Sequence, residues 1–196
     1  RVIVFRNHYK SKVSISGAKF IREWDRAPNG SITPDGQFDR GESISFMANA
    51  LGWDPNLYTL NMKGFMHEIA PSFISEVVNC SIFLKVLNIS QYRAPCQGEY
   101  NLLGSPACRL ETVTLSECHP SVVMSFLNGL SNFDNHLSSI SISDCALSAK
   151  DTVILLGFIG KHNCFKYLKS ITLDGMSFED VTVESFGILL SKLQML

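Results

Sequence analysis

The sequence is short of charge of either sign. Only 18% of its 196 residues are charged, and 17 basic against 18 acidic residues leave a formal net charge of −1. So close a balance argues against nucleic acid or an anionic membrane as the default partner. No apolar run reaches the ~18 residues of a membrane span, so no membrane insertion is expected. Arg1 leads directly into Val2-Ile3-Val4-Phe5, with neither an initiator methionine nor a signal-peptide pattern. The chain is therefore expected to be a piece of a longer protein. Cysteine is sparse too: six in this length is far from the density of disulfide scaffolds. Reduced thiols, as in a cytoplasmic protein, are the expectation. Cys80, Cys118, Cys145 and Cys164 stand in apolar, periodic contexts, where free cysteine behaves as a small core residue. Cys96 and Cys108 flank a loop and could pair if the protein were extracellular.

Signatures of chemistry are missing as well. His67-Glu68-Ile69-Ala70-Pro71 begins like a zinc-binding HExxH helix but puts Pro71 where the second ligand belongs. Gly157-Phe158-Ile159-Gly160-Lys161-His162 is too short for a phosphate loop and has no Ser or Thr after the lysine. There is no Gly-x-Ser-x-Gly elbow. Asp25, Asp35, Asp39 and Glu42 do not follow calcium-loop spacing. Cys118-His119 is a dipeptide at a turn, with no orienting third group in view. Neither a cofactor nor a metal is expected, and the chain is not expected to be an enzyme.

What the sequence does contain is a repeat. The stretch LSSISISDC, residues 137–145, alternates Ile140 and Ile142 with Ser139, Ser141 and Ser143, the period of a strand with one apolar and one hydroxyl face. Its Leu-x-x-Leu-x-Leu pattern, with apolar substitutes, recurs. The copies are Leu57-x-x-Leu60-x-Met62, Leu84-x-x-Leu87-x-Ile89, Leu110-x-x-Val113-x-Leu115, Leu137-x-x-Ile140-x-Ile142 and Leu168-x-x-Ile171-x-Leu173. Leu193-x-x-Leu196 begins another, and Val13-x-Ile15 fits an earlier, degenerate one. From Leu57 to Leu193 the first leucines are spaced 27, 26, 27, 31 and 25 residues apart. Eight positions after the first leucine stand Cys118 and Cys145, and in other copies Phe65, Tyr92 and Met176. Helical periodicity lies between the strands. It involves Ile44, Phe46, Met47, Ala50 and Leu51; then Ile69, Phe73, Ile74, Val77 and Val78; then Val122, Val123, Phe126, Leu127 and Leu130. Val153, Ile154, Phe158 and Ile159 follow, then Val183, Phe186, Ile188 and Leu189. Asp39-x-x-Glu42, Ser148-x-x-Asp151 and Ser177-x-x-Asp180 read as capping boxes or close relatives.

On these residues the chain resembles the leucine-rich repeat superfamily, and within it the ribonuclease-inhibitor type with a full helix in each repeat of roughly 26–31 residues. The resemblance implies an α/β fold: a right-handed solenoid with a parallel β-sheet on the concave face and helices on the convex face. It covers residues 57–196 as regular repeats. Residues 1–56 would form an irregular N-terminal repeat with an insertion at about 22–41, within one solenoid segment spanning 1–196. That insertion reads either as a solvated loop or short hairpin, or as a loop reaching over one face. Residues 93–108 carry Pro95, Gly98, Gly104 and Pro106 where a helix would stand, so a loop is expected in the helical layer there.

In this register the serines of LSSISISDC face outward and are bare because no part of the chain covers them. The same face would present Tyr58, Lys63, Lys85, Asn88, Glu111, Glu117, Ser141, Asp144, Lys169 and Asp174. It reads either as an ordinary solvated sheet or as a protein-binding face with a charge gradient. Lys63 and Lys85 lie early in that gradient, and Glu111, Glu117, Asp144 and Asp174 lie later against Lys169. Tyr58 and Tyr92 are candidate aromatic anchors. By resemblance the function is a scaffold or regulatory module binding another protein, as in cytoskeletal regulators of the tropomodulin and CARMIL families. The alternatives are a GTPase-activating domain of RanGAP type, for which Asn88 and Arg93 are the nearby candidates, and the ligand-sensing repeats of an immune receptor.

Overall fold

The structure, a computed structural model, describes residues 11–16, 57–63, 70–96, 98–102, 110–131, 137–162, 165–179, 181–183, 186–187 and 191. Among them are six strands: β1 (Ser11–Ser16), β2 (Leu57–Lys63), β3 (Val86–Ser90), β4 (Thr112–Ser116), β5 (Ser139–Ser143) and β6 (Ser170–Asp174). Three helices, α1 (Ala70–Cys80), α2 (Pro120–Leu130) and α3 (Ala149–Lys161), lie between them. Each strand pairs in parallel with the next in sequence, in the order β1-β2-β3-β4-β5-β6. The fold is α/β, with a parallel sheet and helical crossovers.

The sequence repeat is the sheet register. Leu60, Leu87, Val113, Ile140 and Ile171 stand side by side, as do Met62, Ile89, Leu115, Ile142 and Leu173. Val13 and Ile15 extend the two rows by pairing with Leu60 and Met62. Strands β3, β4 and β5 share one pattern, with buried residues at their second and fourth positions. The core-facing rows join the buried helix residues Phe73, Ile74, Val77 and Val78 of α1 and Val122, Val123, Phe126, Leu127 and Leu130 of α2 in one cluster. The helices therefore pack on the Leu/Ile face. Parallel sheets are usually covered on both faces and read as continuous apolar runs. Here the alternation survives because one face is left without a layer among the described residues.

Helix α3 corrects the expected apolar face. Ile154 is exposed, Val153 and Phe158 are half-buried, and the seated residues are Thr152, Leu155, Leu156 and Ile159. These four stand at i, i+3, i+4 and i+7, one stripe of a helix. Residues 153–159 are apolar nearly all round, so hydrophobicity alone did not pick the stripe. The capping box at its start is present: Ser148 Oγ accepts from the Asp151 N–H at 3.2 Å, and the Ser148 N–H donates to Asp151 Oδ2 at 3.1 Å. The other two capping boxes, the helix expected at 44–51, the insertion at 22–41, Phe65, Cys108 and Cys164 involve residues outside those described. Cys80, expected in the core, is half-buried.

Between β3 and β4 the described residues, 91–96 and 98–102, form no helix. Tyr100 and Leu102 supply the missing bulk and are 3% and 1% exposed. The Tyr100 ring meets Phe126 edge-on with centroids 5.1 Å apart. The backbone of this loop is tied to both flanking helices. Asn101 N–H donates to Ser75 Oγ of α1 at 2.9 Å, and Asn79 Nδ2 donates to the Asn101 carbonyl at 2.8 Å. Cys96 N–H donates to Ser121 Oγ of α2 at 2.8 Å, and Ser125 Oγ donates to the Gly98 carbonyl at 3.1 Å. Gly129 permits the approach: a Cβ there would lie 2.4 Å from the Tyr100 carbonyl oxygen and 2.8 Å from its Cβ.

Each of the last four strands ends the same way. Gln91, Glu117, Asp144 and Gly175 have φ of 57°, 52°, 53° and 64°. The left-handed turn then points the following residue inward: Tyr92, Cys118 and Cys145 are 1%, 3% and 0% exposed, and Met176 packs against the core. Only the fourth copy uses glycine, although a side chain in this conformation costs roughly 1–2 kcal/mol. The other three rim positions carry the polar residues Gln91, Glu117 and Asp144 instead.

Candidate functional site

The open face consists of ladders of equivalent residues. One row runs Ser14, Asn61, Asn88, Thr114, Ser141, Thr172, and the row beside it Lys12, Thr59, Val86, Thr112, Ser139, Ser170. A third runs Ser16, Lys63, Ser90, Ser116, Ser143, Asp174. Parallel pairing sets neighbours in a row ~4.8 Å apart, close enough for short side chains to bond directly. Asn88 Nδ2 donates to Asn61 Oδ1 at 2.6 Å. The centre of the face is thus an array of hydroxyls and amides with almost no charge, Ser141 in its middle.

Charge sits on the two rims. At the strand starts, backbone bonds align Tyr58, Lys85, Glu111, Ser138 and Lys169. Lys85 is ion-paired to Glu111, and its ammonium also lies 5.9 Å from the Tyr58 ring centroid, within cation–π range. At the strand ends Arg93 is ion-paired to Glu117, and Gln91 Nε2 reaches Glu117 Oε1 at 3.4 Å. The Arg93 side chain keeps 73% of its surface exposed, which leaves its outer edge available. Asp144, Asp174 and Lys169 are exposed. Asp174 Oδ1 accepts from the Gly175 N–H at 2.9 Å.

These contacts redraw the expected charge gradient. Lys85 and Glu111 neutralise each other, as do Arg93 and Glu117. The candidates Tyr58, Lys85, Asn88, Glu111, Ser141, Lys169 and Asp174 all fall on or at the edge of one face. Glu117 and Asp144 lie just beyond it, in the rim turns. Lys63 holds the register position between Ser16 and Ser90. Tyr92, expected as an anchor beside this face, is instead 1% exposed in the core. Gln91 was missed, yet it stands seven residues after Leu84, as Glu117 does after Leu110 and Asp144 after Leu137. That count was the available signal.

Elsewhere the polar groups serve the fold. His119 caps α2: its Nδ1 accepts from the Ser121 N–H at 3.2 Å and lies 2.8 Å from Ser121 Oγ. Among the described residues no group of three or more His, Cys, Asp and Glu could hold a metal ion, and no helix is long and apolar enough to cross a membrane. A groove of about 640 Å³ lies between the 96–101 loop and α2, lined by Cys96, Glu99, Ser121, Met124 and Asn128 among others. Burial pushes the Tyr92 and Tyr100 phenols well above the ordinary tyrosine value. The Tyr100 hydroxyl has no hydrogen-bond partner among the described residues. Compared with protein-family models and with curated proteins, the sequence matches none.

Proposed function

We propose that the chain is a leucine-rich repeat solenoid segment of the ribonuclease-inhibitor type, acting as a scaffold or regulatory module that binds another protein on its concave sheet face. The observation that carries this reading is the bare face itself. Polar ladders from consecutive strands stand without a covering layer, and both rims carry side chains already held in place by ion pairs. Pre-ordered rim groups lose less entropy on binding than free ones. Tyr58 and Arg93 belong to the residue types enriched among binding hot spots. The uncharged centre suits a partner that offers polar, uncharged groups, with its charges toward the rims. Tropomodulin- or CARMIL-like cytoskeletal regulation is the setting this proposal favours.

The test compares the two sides of the sheet. An interacting protein captured by the wild-type chain is titrated against open-face variants Lys169→Glu, Asp144→Lys and Arg93→Glu, and against helix-side variants Lys161→Glu and Lys150→Glu. The open-face changes should weaken binding and alter its salt dependence, while the helix-side changes leave both intact. Sensitivity confined to the helix-side variants would sink the reading.

The exposed, braced Arg93 at the strand ends favours one alternative, a GTPase-activating domain. GTP turnover by a panel of small GTPases, measured with the wild-type chain and with Arg93→Ala, separates it: acceleration lost in the variant supports it, and no acceleration rejects it.

A further inference from the structure

Cys118 and Cys145 are equivalent residues of adjacent repeats. Strands β4 and β5 are in register up to Ser116 beside Ser143. Glu117 and Asp144 then leave the two strands with φ of 52° and 53°, and the Glu117 N–H donates to the Ser143 carbonyl at 3.0 Å. Two chain segments that turn out of neighbouring strands alike keep the strand spacing of ~4.8 Å. The Cα atoms of Cys118 and Cys145 are therefore set side by side, within the ~4.4–6.8 Å range that a disulfide spans. Their side chains follow the same course. Cys118 Sγ lies 3.4 Å from the Ser116 carbonyl and 3.6 Å from that of Ile89. Cys145 Sγ lies 3.2 Å from the Ser143 carbonyl and 3.6 Å from that of Leu115. Each sulfur is thus turned toward the preceding strand, Cys145 Sγ toward the strand that leads into Cys118. Tyr92 and Met176 occupy the flanking positions of the same row, so this is the one place among the described residues where the row sets thiol beside thiol.

We infer that Cys118 and Cys145 form a dithiol site that a two-electron thiol oxidant of the glutathione-disulfide class converts to an intramolecular disulfide. One of the two thiols, on losing its proton, attacks one sulfur of the oxidant and releases one reduced glutathione. The other then gives up its proton and attacks the protein sulfur of the mixed disulfide, releasing the second. One S–S bond forms in the protein and one breaks in the oxidant, which receives both electrons and both protons. The sulfurs are buried, so attack occurs when the rim turns open transiently. Equivalent Cβ atoms at strand spacing must close by about 1 Å to reach disulfide geometry. Oxidation thereby moves the turns that carry Glu117 and Asp144, coupling the core thiols to the rim of the open face. The pairing follows from strand register and does not depend on what that face binds.

The reduced full-length chain is equilibrated in glutathione buffers from reducing to oxidising. Remaining thiols are then alkylated after denaturation, and the linkages are mapped by peptide mass spectrometry. The expected result is a Cys118–Cys145 link that comes to dominate, loss of two alkylatable thiols, a higher melting temperature, and persistence of the link in Cys96→Ser. Cys145→Ala should abolish the link, and if that variant fails to fold, the wild-type map decides. Cys118 and Cys145 both alkylated at the oxidising end, or Cys118 linked to Cys96 instead, would overturn the proposal.

Discussion

The two faces of the sheet are made by the same strands, residue by alternate residue, yet they obey different rules. On the core face Leu60, Leu87, Val113 and Ile140 are all 0% exposed and packed against helices. One position along, Asn61, Asn88, Thr114 and Ser141 are half-buried, and a direct bond such as Asn88 to Asn61 is made between equivalent repeats. The core face gains its stability from volume that must be filled. The open face gains little from any one side chain, and its residues are free to be selected for what they touch. The core side should therefore be brittle to substitution, and the open side tolerant in stability but sensitive in binding.

The largest effect should come from Ile140→Ala, about 2–4 kcal/mol lost in chemical denaturation, because it leaves a cavity in a packed core. A loss below 1 kcal/mol would mean that the row does not pack as described. Next is Gly129→Ala behind the core face, expected to cost roughly 1–3 kcal/mol. Its methyl would meet Tyr100 backbone rather than a flexible side-chain end, so α2 and the loop must part. Neutral behaviour there would show that the loop is not seated on α2.

A third test uses pH. Tyr92 and Tyr100 have raised folded values, with burial the first cause in each. Above the ordinary tyrosine value of about 10, the unfolded chain releases protons that the folded chain retains, so stability is whole below that pH and falls above it. The slope is about 1.4 kcal/mol per pH unit for each phenol. Tyr100→Phe removes its share of that slope, and alkaline melts that do not change in this variant would place the hydroxyl in water. On the open face, Glu111→Ala should cost no more than about 1 kcal/mol, as expected of a partly exposed ion pair. A double-mutant cycle with Lys85→Ala measures that pair, and a coupling well above this would mean the rim stabilises the fold. Smallest of all, Ser141→Ala should stay within about ±0.5 kcal/mol. If it matches Ile140→Ala, both faces are buried and the comparison fails.

Several features could be read from the letters alone. The spacing of the Leu-x-x-Leu-x-Leu copies located β2 through β6, and the degenerate Val13-x-Ile15 located β1. The alternation in LSSISISDC told which residues face the core, and their apolar, periodic contexts placed Cys118 and Cys145 inside. The breakers Pro95 and Gly98 marked the return without a helix. The misses are equally specific. The seated stripe of α3 was hidden by an apolar residue on almost every side. Tyr92 looked like a surface anchor because its ring is amphipathic, whereas the left-handed Gln91 turns it inward.

The period, the type of each described element and the division of each strand into two faces were legible in the residues alone, because these follow from side-chain alternation within a few residues. The stacking of the repeats settled that Lys85 meets Glu111, that Arg93 meets Glu117 and that Tyr100 stands in for a helix residue beneath Gly129. Each of those contacts joins residues from different repeats. Their partner choice is set by how the strands stack side by side, a distance relation that no local pattern in the chain encodes.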